Sequence, residues 1–215
     1  MTSEITNFFL VAVTSFFTLM NPLGIMPVFM GMTSTLERKD QIRTATKAMT
    51  VAFFAILGFA FTGQLLFSFF GISVDSFRVV GGILFFLLGQ DMLQARLGRF
   101  KIEDDTSVRK YIGDISVTPL AIPMICGPGV ITNSIVLMED AHTPLLKGTL
   151  ILAILLISLI SLAVLIGATK ISKWMGETGT NIMMRLMGLI VMVIAVEFFF
   201  SGLTPILQRI FLVQH

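Results

Sequence analysis

Charge is what this sequence has least of. Only 13% of its 215 residues are Asp, Glu, Lys or Arg, against 55% hydrophobic residues and a mean hydropathy of +0.91. A soluble domain carries roughly a quarter of its residues as charges, so too few are present to cover a water-facing exterior. Cysteine is down to one residue, Cys126, set in an apolar stretch, which excludes an intramolecular disulfide. Histidine is nearly as scarce: His142 falls in a short connection and His215 is terminal, so no metal site is expected. No His lies in an apolar run and Asp91 is the only clear intramembrane Asp, which argues against hydrolysis by a Ser/His pair, a His-Glu zinc set or paired aspartates, and no enzyme is expected. A nucleotide-binding loop is also missing, so any transport would draw on a gradient, and no cofactor is called for beyond a coupling H+ or Na+. The net charge of +2 implies no nucleic-acid partner. The first residues, Met-Thr-Ser-Glu-Ile-Thr, have no basic segment, so residues 5–33 read as a retained first span and not as a signal peptide.

What the chain has instead is long uncharged runs. Residues 5–36, 48–74, 115–138 and 148–169 hold no Asp, Glu, Lys or Arg, and roughly 20 apolar residues suffice to cross about 30 Å of hydrocarbon. Two more apolar segments, about 73–95 and 183–203, are interrupted by Asp91 and Glu197. The expected fold is therefore all-α: six transmembrane helices in one domain over 1–215, with the lipid bilayer as its solvent. Basic residues cluster in alternate connections: Arg38, Lys39, Arg43 and Lys47; then Arg96, Arg99, Lys101, Arg109 and Lys110; then Lys170 and Lys173. Positive loops stay inside, so both termini are expected outside, with 96–114 as a plain cytoplasmic loop.

The two halves resemble each other. At an offset of 107 residues Arg78 meets Arg185, Gly81 meets Gly188, and Gln90 meets Glu197. Three spans per half is an odd number, so related halves, 1–95 and 115–215, must insert upside down relative to one another. Five of the seven prolines sit in the first span of each half: Pro22 and Pro27, then Pro119, Pro123 and Pro128. Pro22/Pro27 aligns with Pro123/Pro128, or Asn21-Pro22-Leu23-Gly24 with Thr118-Pro119-Leu120-Ala121; both registers stay open.

Breaks of this kind mark sites. Proline inside a helix removes a hydrogen bond and clashes with the preceding turn, costing about 3 kcal/mol, and lipid offers no water to re-satisfy the freed groups. Each break restarts as a half-helix whose N-terminus carries about half a positive charge. Two such ends near the bilayer centre suit an anionic group, and gapped spans at matching places in inverted halves point to a transporter site. The candidate substrate-binding residues are Asn21, Pro22, Gly24, Pro123, Gly127, Pro128, Gly129 and Thr132, with Asn133 adding polarity beside them. The plain alternative is a set of ordinary proline kinks. Glu197, Asp91 and Gln90 are the polar intramembrane residues. Glu197, about 18 Å along the helix from Arg185, would carry a proton or hold a substrate ammonium, or else serve as protonated glue between helices. Asp91 sits nearer the cytoplasmic end, where solvation is expected. Gly58, Gly63, Gly81, Gly82, Gly188 and Gly202 are expected to allow close helix packing, and Arg78 and Arg185 to reach the headgroups.

Asn-Pro-Leu-Gly-Ile-Met-Pro-Val-Phe at 21–29, Phe-Gly-Ile-Ser-Val-Asp-Ser-Phe-Arg-Val-Val-Gly-Gly-Ile at 70–83, Pro-Leu-Ala-Ile-Pro at 119–123, Gly-Pro-Gly at 127–129 and Arg-Leu-Met-Gly-Leu at 185–189 together resemble the MarC family, nearly end to end. The resemblance implies a six-span prokaryotic inner-membrane protein, distantly related to LysE-type exporters. It implies the activity of SnatA-type members, transport of small neutral amino acids such as glycine and alanine, and places function at Asn21 to Pro27 and Pro123 to Gly129. The leading expectation is thus a secondary transporter of small zwitterions. Its competitors are a non-transporting scaffold, a carrier of another metabolite, lipid or drug, and, least, an intramembrane enzyme.

Overall fold

A computed structural model describes residues 2–94 and 111–212. Most of the loop expected over 96–114, with its five basic residues, lies outside them, as does His215. The described residues are helical, with no strand among them. Helix α1 (Thr2–Met20) and half-helix α2 (Pro22–Met32) follow one another, then α3 (Arg38–Phe70) and α4 (Val74–Leu93). In the second half, α5 (Tyr111–Ile125) and α6 (Pro128–Asp140) meet at a 62° bend. A helical run Pro144–Leu212 follows, interrupted at Gly176 (φ 66°), with two apolar arms: α7 (Pro144–Ala168) and α8 (Thr178–Phe211). Five helical stretches are long and apolar enough to span a membrane, counting Ser3–Met32 as one, and the bent α5–α6 pair makes a sixth when taken as one span. Thirteen residues of α6 reach only about 20 Å, so neither arm of the bent pair crosses alone.

Local chemistry sets the ends. Helix α3 stops at Gly71 in a left-handed conformation (φ 62°), where the Ile72 N–H donates to the Phe67 carbonyl (2.8 Å) and the Gly71 N–H to Ser68 (3.2 Å). These are the paired bonds of a Schellman stop, which glycine permits because it lacks a Cβ. In α5 the residues before Pro119 and Pro123, Thr118 and Ile122, are extended (φ −130° each) within a wide-turned stretch, Ser116–Ile125. Both bonds, Thr118–Pro119 and Ile122–Pro123, are cis, and the helical turn is open at each.

Helix α4 lies antiparallel to α8 with almost no side chains between them. A Cβ on Gly82 would sit 2.7 Å from the Ala195 carbonyl, and one on Gly188 2.7 Å from the Gly89 carbonyl. Gly202 abuts the Asp75 carbonyl in the same seam. Without a hydrophobic drive between helices in lipid, such close backbone approach supplies the packing. Gly63 likewise receives Ile135, and Gly81 receives Pro128. Gly58 departs from expectation: nothing lies within 4 Å of its missing Cβ. The N-terminus of α4 and the C-terminus of α8 are joined by Arg209 to Asp75 (2.6 Å), with Arg78 3.6 Å from the same carboxylate; Arg78 thus has an ion partner, while Arg185 is exposed. Outward faces carry bare apolar side chains such as Leu65, Phe69, Val193 and Phe200, a surface made for acyl chains.

Candidate functional site

Both proline breaks open onto one cavity of about 290 Å³, lined by Thr18, Leu19, Met20, Asn21, Gly24 and Ile25 from the first break and Met124, Gly127, Gly129 and Val130 from the second. Phe85 and Leu88 of α4 and Val191, Ile194 and Phe198 of α8 close the wall. Among the described residues, no charged one lines it. Thr18 and Asn21 are exposed, so the cavity opens on their side. Its volume falls at the lower end of small-molecule pockets, about 300–1,000 Å³.

The two half-helices share a proline start but not a bend: Ser3–Met32 runs as one span, whereas α5 and α6 meet at 62°. Asn21 and Gly127 are N-caps, and Pro22 and Pro128 occupy the first turn, where proline's fixed φ suits a helix start and its missing N–H leaves no bond unmade. Asn21 is left-handed (φ 43°, ψ 64°), a conformation Asn tolerates better than most residues. Its side-chain oxygen accepts the Gly24 N–H at 3.1 Å, and its carbonyl accepts Gly24 and Ile25 (3.0 and 3.1 Å). Gly24 makes that cap possible, because a Cβ there would run into the Asn21 side chain. Gly127 has no side chain to cap with, and the first backbone bond of α6 is Ile131 N–H to the Gly127 carbonyl (3.0 Å). The N-termini of α2 and α6, each with about half a positive charge, therefore meet a common space.

Two rings press onto the start of α6. A Cβ on Gly127 would lie 2.7 Å from Cζ of Phe85, and one on Gly129 2.6 Å from Cζ of Phe198; the ring centroids are 6.1 Å apart. At the other end of α2 the carbonyls are held. Tyr111 donates its hydroxyl to the Met32 carbonyl (2.8 Å), and Gln41 its amide to Thr33 (2.9 Å). Asn133 donates to the Ser15 hydroxyl at 3.0 Å, tying α6 to α1.

Of the residues singled out from sequence, Asn21, Gly24, Gly127 and Gly129 line the cavity. Pro22 and Pro128 are buried behind it and Pro123 is half-buried. Thr132 is buried one turn into α6, its hydroxyl without a partner. The other group is not brought in: Glu197 and Gln90 are exposed, Asp91 is half-buried, and none lines the cavity. Thr18, Met124, Phe85 and Phe198 went unmarked in the sequence. Thr18 and Met124 are found by counting four residues back from each opening proline; the two rings carry no signal among twenty phenylalanines.

A match to the MarC family of integral membrane proteins covers residues 6–207. This chain belongs to the MarC family. The MarC chain is 34% identical over 208 residues to a UPF0056 membrane protein of Methanocaldococcus jannaschii, covering 96% of this sequence and 91% of that one. It is 35% identical over 195 residues to the UPF0056 membrane protein YhcE of Escherichia coli, covering 88% and 89%. No solved structure matches this MarC protein.

Proposed function

We propose that this protein is a gradient-driven carrier of small polar solutes, of the small neutral amino acid class that the SnatA-type resemblance implies, in a prokaryotic inner membrane. One observation carries the reading: two half-helix N-termini, Asn21–Pro22 and Gly127–Pro128, open onto a single cavity. Irregular backbone at membrane depth is tolerated only where protein or a water-filled cavity meets it, and paired breaks of this kind are a mark of transporters. A substrate carboxylate sits at the two positive helix ends, and the apolar wall of Ile25, Leu88, Val130 and Ile194 takes a short aliphatic side chain.

The inverted repeat belongs to the same reading. The N-caps Asn21 and Gly127 stand 106 residues apart, a register different from either proline alignment above and within one residue of the offset that pairs Arg78 with Arg185. The antiparallel seam of α4 and α8 is the arrangement inverted third spans would take. Both termini outside and coupling to H+ or Na+ complete the proposal. Glu197 is left out of substrate binding because it does not line the cavity.

The test is counterflow: proteoliposomes preloaded with alanine or glycine should accumulate labelled external substrate. Equal flux with and without protein, under matched reconstitution, defeats the proposal and favours a scaffold.

A further inference from the structure

We propose that two copies of this protein pair side by side through the exposed face of α8, with Glu197 of one copy hydrogen-bonded to Glu197 of the other. Among the described residues nothing donates to this carboxyl or forms an ion pair with it, and it is exposed. Arg185 and Arg209, the nearest charges along α8, each lie twelve residues away, about 18 Å by the helix rise. Glu197 therefore stands close to the middle of the span Thr178–Phe211, about 15 Å from either edge of the hydrocarbon. No rotamer of so short a side chain brings it to water. Gln90 and Asp91 are placed differently: Gly89 beside them abuts the Gly188 carbonyl, which sets them near the depth of Arg185, toward the end of the span.

A carboxyl at mid-membrane depth is costly to leave bare and costlier charged, and acyl chains offer it neither donor nor acceptor. Its neighbours along α8 point to another helix. Leu186, Ile190, Val193, Glu197, Phe200 and Thr204 are all exposed and recur at alternating steps of four and three, so they share one face. That is the spacing of a line along which one helix meets another, and a single polar residue within it fixes register and the number of helices that join. The acid itself selects the partner. A neutral carboxyl carries one O–H donor and an acceptor oxygen, so it is complementary to a second copy of itself. Two chains inserted in the same orientation are related by a two-fold axis along the bilayer normal, and a residue facing that axis meets its own equivalent at equal depth. Each Glu197 then gives one hydrogen bond and receives one. Such bonds between helices hold them together in lipid.

The experiment is energy transfer between donor- and acceptor-labelled copies of the full chain in phosphatidylcholine vesicles, followed over a lipid dilution series. Wild-type protein is expected to associate as a dimer. Glu197→Gln, whose amide also donates and accepts, should stay within about threefold of the wild-type dissociation constant. Glu197→Leu alters only an exposed side chain and should raise that constant at least about tenfold. Val193→Cys and Phe200→Cys, one turn to either side, should each give a disulfide-linked pair under mild oxidation. Phe61→Cys, exposed on α3, should not, and the native Cys126 is buried. Wild-type protein that stays monomeric at every dilution overturns the proposal. So does Glu197→Leu protein that associates as tightly as wild type, Glu197→Gln protein that weakens as much as Glu197→Leu, or cross-linking through Phe61→Cys in place of the two α8 positions.

Discussion

Replacing Phe198 with alanine should change what the cavity accepts more than whether it works. The ring stands 2.6 Å from where a Gly129 Cβ would be and 6.1 Å, centroid to centroid, from Phe85, so it forms part of the wall beside the α6 N-terminus. In the proposed carrier this ring bounds one side of a cavity of about 290 Å³, and its removal opens room there for a branched side chain. Each methylene moved from water to apolar space contributes about 0.8 kcal/mol. Valine exceeds alanine by two such groups and leucine by three, so space for them should raise the valine-to-alanine ratio about tenfold and the leucine-to-alanine ratio about fiftyfold. Fully buried Phe→Ala changes cost about 3–5 kcal/mol; Phe198 is half-buried, so about 2 kcal/mol is expected. Counterflow with labelled glycine, alanine, valine and leucine, on protein shown monodisperse by gel filtration, reads the ratios directly. An unchanged substrate profile in well-folded F198A protein would refute the reasoning, since the ring would then not bound the substrate.

Asn21→Ala keeps a Cβ on a left-handed residue while losing the side-chain amide that eases that conformation and caps α2, for an expected loss of about 2–3 kcal/mol; Asn21→Gly frees the backbone of the Cβ and should melt several degrees above it, whereas equal melting points would contradict the left-handed account. Tyr111→Phe deletes the bond to the Met32 carbonyl and should cost about 1–3 kcal/mol, because a buried acceptor is left bare; chemical denaturation in mixed micelles measures it. Gly188→Leu drives a side chain into the backbone of α4 and should abolish monodisperse protein in detergent, while Gly58→Leu, facing open space, should leave elution unchanged. Flux through Gly129→Leu protein should vanish with normal membrane insertion, because the added side chain enters the cavity between Phe198 and Leu19.

The spans were legible because hydrocarbon leaves few options: an uncharged run such as 148–169 must be helical and nearly straight. The breaks were legible for the converse reason, since Pro22 and Pro128 cannot donate the bonds a continuous helix needs. Their register was not. Prolines inside the α5 stretch, Pro119 and Pro123, look in sequence just like Pro128 at a helix start, and only the backbone marks Gly127, like Asn21, as the N-cap of a half-helix. Glu197 drew attention because a carboxylate in lipid is expensive, yet that expense says nothing about direction. On α8 the cavity-facing stripe is Val191, Ile194 and Phe198, and Glu197 falls outside it. The rings at Phe85 and Phe198 were invisible because phenylalanine fills every part of this chain.

The glycine seam of α4 and α8 bears on how such a cavity changes shape. Where carbonyls stand directly against α-carbons, at Gly82, Gly89, Gly188 and Gly202, no layer of rotatable side chains remains to let one helix slide past the other. The pair is a stiff plank. In the proposed carrier, exchange of the bound molecule between compartments comes from tilting of the short arms α2 and α6 against that plank, pivoting where Asn21 and Gly127 interrupt the chain.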